Sequence, residues 1–90
     1  MSMPRQPSTP IAEARKLASR FEANDIKSCL EQALQGMPNA CYFNNDPGHV
    51  MDVLARAGFV RDLMQQGSPL SEAMRELGRR IRRMQETMAR

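Results

Sequence analysis

Tryptophan is absent from this chain, tyrosine occurs once and phenylalanine three times, so the large side chains that usually fill a core are scarce. The chain has ninety residues, and one this short buries only about 60–65% of the surface its unfolded form exposes. Eight methionines and many alanines stand in for the missing bulk. Methionine fills irregular gaps, specifies packing weakly and suits adaptable binding surfaces. A lean core in a short chain predicts that another molecule supplies part of the buried area, either a second copy in a homodimer or a protein partner.

Ligand-bearing residues are equally few. His49 is the only histidine, and Cys29 and Cys41 are the only cysteines. No paired spacing such as C-x-x-C or H-x-x-x-H preorganises a metal, so only folding could gather Cys29, Cys41, His49 and Asp46. The expected roles are plainer: His49 as a helix-start residue, Cys29 in the core and Cys41 as a loop thiol. A nucleophilic Cys41 with His49 as base would need a third orienting group and oxyanion donors, which the sequence does not assemble. The five glycines stand singly, so no glycine-rich phosphate loop exists. No catalytic residue, metal, cofactor or small-molecule substrate is expected.

Long apolar runs are also missing, which excludes a spanning helix and a membrane role. The opening Met1 to Pro7 has no apolar leader segment. A cytoplasmic setting is therefore expected, with both thiols reduced and no structural disulfide.

What is present is helical punctuation. Residues 1–9 hold two of the six prolines and no periodicity and are expected to form a mobile tail, leaving residues 10–90 as a single helical domain. Thr9-Pro10 reads as a cap followed by a leading proline, with Ile11, Ala14, Leu17, Ala18 and Phe21 on one face to about Glu22. The stripe then jumps phase to Ile26, Cys29, Leu30, Ala33 and Leu34, which predicts a break capped by Asn24. Gly36 should end this second helix. Asp46-Pro47 opens a third with Val50, Val53, Leu54 and Ala57 inward, which Gly58 either ends or kinks before the face resumes to Gln66. Ser68-Pro69 opens the last. No segment alternates like a strand. The expected class is all-α, four to five short helices in a small antiparallel bundle.

The last helix carries the clearest pattern. Leu70, Met74, Leu77, Ile81, Met84 and Met88 recur at alternating spacings of four and three, an unbroken heptad seam. Pairs Glu72–Arg75, Glu76–Arg80, Arg82–Glu86 and Glu86–Arg90 are expected to support it. Positions flanking the seam are mostly uncharged, which disfavours a parallel zipper and favours an antiparallel arrangement within or between chains. The formal charge of +3 is concentrated here, with Arg75, Arg79, Arg82 and Arg83 on the outer side. In the loop before the third helix, Tyr42 and Phe43 put half of the aromatic residues together. They could plug the core or anchor a partner.

The leading expectation is a non-enzymatic, bacterial-style interaction or regulatory protein binding itself or a protein partner through the Leu70–Met88 seam. The arginines would give electrostatic contacts, and Tyr42 and Phe43 would serve as loop anchors. A small DNA-binding regulator using the basic last helix is the runner-up, with Phe59–Gln66 and Leu70 onward as the two helices of a helix-turn-helix. A metal or redox sensor built on Cys29, Cys41 and His49 comes third.

Overall fold

Four helices, with no strand among the described residues, make up the computed structural model, which describes residues 9–88. Residues 1–8 of the tail expected over residues 1–9, the side chain of Met88, and Ala89 and Arg90 lie outside the described residues. The helices are α1 (Pro10–Arg20), α2 (Ala23–Leu34), α3 (Pro47–Gln65) and α4 (Leu70–Met88).

Each boundary has a local cause. Thr9, at the end of the expected tail, accepts the Ala12 N–H at 3.1 Å, and Pro10 follows where its missing N–H is harmless. Phe21 turns extended and ends α1. Helix α2 starts earlier than the phase jump suggests, because Glu22, not Asn24, is the cap. Glu22 and Asp25 exchange side-chain bonds with each other's backbone in a capping box. At its far end Gly36 takes φ +74°, and Met37 N–H returns to the Gln32 carbonyl at 2.9 Å, a left-handed stop. Gly67 ends α3 the same way at φ +108°. Asp46 caps α3 through the Gly48 and His49 N–H groups at 3.0 and 3.4 Å. In α4 the first backbone bond runs from Ala73 N–H to the Pro69 carbonyl at 3.0 Å, so Pro69 occupies the cap and not the first turn.

Gly58 neither ends nor kinks α3, which runs unbroken through it, so a fifth helix does not form. A mid-helix glycine costs only about 1 kcal/mol, and burial of Val53, Leu54, Ala57 and Val60 around it outweighs that.

Helix α3 is the common partner: it packs on α1, α2 and α4, whereas α2 and α4 do not touch. The buried residues fall into two clusters along it. One joins Ala14 and Leu17 of α1 and Ile26 and Cys29 of α2 to Val50, Val53, Leu54 and Ala57. The other joins Ala18, Val60, Ala73 and Leu77. Ala14, Ala18, Ala57 and Ala73 are all fully buried, so α1 and α4 lie close to α3 with little side-chain thickness between.

Gly58 offers a check on the unbroken helix. A Cβ there would sit 3.7 Å from Ile26 Cγ2, an ordinary contact. Gly58→Ala is therefore expected to raise stability by about 0.5–1 kcal/mol, read as a higher urea midpoint. A lowered midpoint would mean that α3 needs a break at this position.

Candidate functional site

The seam of α4 divides into two halves. Ala73 and Leu77 are buried, Leu77 to 3% exposure, while Leu70 and Met74 are half-buried against the second cluster. Beyond Leu77 the covering runs out. Ile81 is half-buried against the second cluster, Met84 is 56% exposed, and Gln85, Glu86 and Thr87 are exposed. Of the residues read as one seam, Leu70 to Leu77 thus join the protomer's own core, Ile81 lies at its edge and Met84 is open.

The arginines of α4 arrange themselves differently from the expected pairs. Glu76 takes Arg79 at 3.1 Å and Arg83 at 3.8 Å. Arg80 does not pair with Glu76. Its guanidinium lies over the Phe59 ring, 5.1 Å from the centroid, where cation–π attraction competes with an exposed ion pair. Pairs 72–75 and 82–86 do not form; Arg75 and Arg82 are exposed on the outer side. Glu86–Arg90 falls outside the described residues.

The loop between α2 and α3 is tightly built, and here the expectation about the cysteines is overturned. Cys29 and Cys41 form a disulfide, with Cα atoms 6.1 Å apart. The chain doubles back after Gly36, so the loop returns over the α2 turn that carries Cys29. Sequence spacing of twelve residues does not reveal that return. Neither sulfur is then a thiolate, which removes Cys41 as a nucleophile and the pair as thiol ligands. His49 is brought near, but to a different partner: its Nε2 lies 2.8 Å from the Tyr42 hydroxyl. No cluster of metal-ligating side chains forms among the described residues.

Further bonds fix the loop. Asn39 Oδ1 accepts the N–H groups of Cys41 and Tyr42 at 3.0 and 2.9 Å, and Asn44 Oδ1 accepts that of Asp46 at 2.9 Å. The aromatic pair is split by this geometry. Tyr42 turns inward against the first cluster, as a plug, whereas Phe43 is 84% exposed, as an anchor would be. Phe43 and Met37 line an open cleft of about 270 Å³ with Ala33, Pro38 and Pro47. Leu34, one turn before Met37, is 66% exposed.

Burial raises the Tyr42 pKa above its ordinary value. The negative charge of Glu13 adds to the shift, and a hydrogen bond with Asn44 opposes it.

One further surface was not legible in the sequence. Ile11, Ala12, Arg15, Lys16 and Arg20 of α1 and Ser71 and Met74 of α4 line an open groove of about 920 Å³ that combines apolar and cationic side chains. It lies between two helices far apart in the sequence, so no spacing along either one could have found it. No helix among the described residues is long and apolar enough to cross a membrane. Comparison with protein-family models, curated proteins and solved structures finds no match.

Two measurements test this loop. Replacing Cys29→Ala together with Cys41→Ser is expected to lower stability by about 2–4 kcal/mol, because the unfolded chain regains the freedom of the closed loop. An unchanged denaturation midpoint would show the tether to be idle. Tyr42, the lone tyrosine, can also be titrated directly by its phenolate absorbance. In the folded protein the midpoint should lie above the free value of about 10 and return to it in denaturant. A raised folded pKa means that the stabilising contribution is whole below about pH 10 and fades as pH climbs past it. Equal midpoints in the two states would place Tyr42 outside the core.

Proposed function

We propose that the chain is a non-enzymatic helical interaction protein that binds a second helical surface through the distal half of α4. One observation carries the reading: the apolar stripe begun inside the core by Ala73 and Leu77 continues through Ile81 to Met84, where the protomer no longer covers it. A stripe that served only the protomer would have no reason to remain apolar past the last core contact. Methionine at its exposed end suits an adaptable helix-in-groove contact.

The helices are read as antiparallel neighbours because two of the connections are very short, Phe21-Glu22 and Gln66 to Pro69. Binding DNA through the arginines is the weaker reading. A recognition helix reads bases from its N-terminal turn, and there α4 offers Ser71 and Glu72, a carboxylate that phosphates repel. The disulfide counts against the cytoplasmic setting expected from the sequence.

Ile81→Asp and Met84→Asp test the interface, whereas Leu77→Asp would bury a charge and unfold the protein. Both distal variants should keep their helical circular dichroism; Met84→Asp should melt within a few degrees of the parent, whereas Ile81→Asp, at the edge of the second cluster, should melt lower. They should lose self-association or a co-purifying partner by about tenfold or more in affinity. If both variants keep their mass by light scattering and every partner, the contact is made elsewhere. Tight retention on duplex DNA, falling steeply with salt, would instead favour the nucleic-acid reading.

A further inference from the structure

The distal half of α4, around Met84, is one of two apolar surfaces that stand open. The other is the end of α2 and its tethered loop, where Leu34, Met37 and Phe43 are exposed. We propose that these surfaces are the two halves of a single contact, with the distal α4 of one copy docking on the Leu34–Met37–Phe43 surface of a second copy. This rests on the reading of α4 as an interface and goes beyond it by naming the partner and the surface that receives it.

Charge is the first reason. From Arg79 to Glu86 the α4 segment carries Arg79, Arg80, Arg82 and Arg83 against Glu86 alone. Around the receiving surface the balance is reversed. Glu31 and Asp46 are exposed, and no lysine or arginine occurs between Lys27 and Arg56. Glu31 lies three residues before Leu34, on the same helical face. A basic apolar segment and an acidic apolar patch in one sequence complement each other at both the core and the rim of a contact. Rim complementarity of this kind selects the partner and speeds encounter.

Topology is the second reason. Because α2 and α4 do not touch within the chain, the two surfaces do not meet in one protomer and can close only between copies. The third is preorganisation. Phe43 is presented by a loop already fixed by the disulfide, by Asn39, and by the Tyr42–His49 hydrogen bond. An aromatic anchor held before binding loses little freedom on docking, which is how a small patch achieves useful affinity. An α4-to-α4 zipper, by contrast, would bring like arginines together and leave Phe43 unused.

The test uses the full chain in its oxidised form and the solution mass from sedimentation or light scattering. Met84→Asp blocks the donor segment and Phe43→Asp blocks the receiving surface. Both side chains are more than half exposed, so the fold should persist, and circular dichroism verifies that it does. The parent should associate into two or more chains, each variant alone should associate about tenfold more weakly or not at all, and added salt should weaken the parent. Mixed one to one, the variants retain one intact donor and one intact receiver, and a two-chain species should reappear. If Met84→Asp dissociates the protein while Phe43→Asp does not, the receiving surface is overturned and the reading of α4 stands. If neither variant changes the mass of an associating parent, both fall. A parent that stays single at about 100 μM, well above typical contact affinities, overturns self-docking and leaves α4 to a foreign partner. A mixture that fails to reassociate overturns the pairing of these two surfaces.

Discussion

The architecture depends on how closely α1 and α4 can approach α3, and alanine sets that distance. Ala14 and Ala18 on α1, Ala57 on α3 and Ala73 on α4 are fully buried, and no aromatic side chain is among the largest buried residues. Small residues let backbones come near and gain dispersion contacts along their length, which compensates for a shortage of large side chains. The same economy limits the core. Close approach persists only while small residues line the contact, and along α4 that stretch ends at Leu77. Past it Ile81 is only half-buried against the second cluster, Arg80 is turned onto Phe59, and Met84 is exposed. A core made thin by composition therefore stops before α4 does.

Much of this was legible in the residues. Thr9-Pro10, Asp46-Pro47, Gly36 and Gly67 mark helix ends because caps and left-handed stops are local chemistry, decided within a few residues. The apolar stripes of α1 and α2 predicted the burial of Ala14, Leu17, Ala18, Ile26 and Cys29, but Ile11 and Leu34, at the outer ends of the same stripes, are exposed. Where reading failed, a local preference met a tertiary fact. Gly58 looks like a break until the packing of Ile26 beside it is known. Asn24 is the better cap by propensity, yet Glu22 holds the position because Asp25 reciprocates. The α4 ion pairs were read from spacing alone, and spacing cannot show that Phe59 lies within reach of Arg80.

The cysteines teach the same point more sharply. Their spacing is compatible with free thiols, a metal site or a disulfide, and compositional priors selected the first. The decision lies in the path of residues 36–41, which folds back on α2 and leaves the two Cα atoms within bonding range. That bridge also governs the fate of the neighbouring aromatics. With Cys41 pinned to α2 and Asn39 Oδ1 accepting the N–H groups of Cys41 and Tyr42, Tyr42 is directed toward Glu13 and His49, and Phe43 points outward. One covalent link thus converts an ambiguous pair of rings into one plug and one exposed anchor.

An exposed phenylalanine is costly to keep in water, and a small chain with only three has strong reason to bury each. Here the loop does the opposite, and spends a disulfide and several side-chain bonds holding Phe43 in place. Rigidity explains this better than stability does. A floppy loop could turn its ring back onto the α2 surface and hide it, whereas a fixed one cannot. The same reasoning applies to α4, where the helix continues for more than two turns after its core contact ends. Both features hold apolar groups away from the protomer's own core, and one carries acidic neighbours while the other carries basic ones. Their physical sense is completed only when an oppositely charged apolar surface covers each.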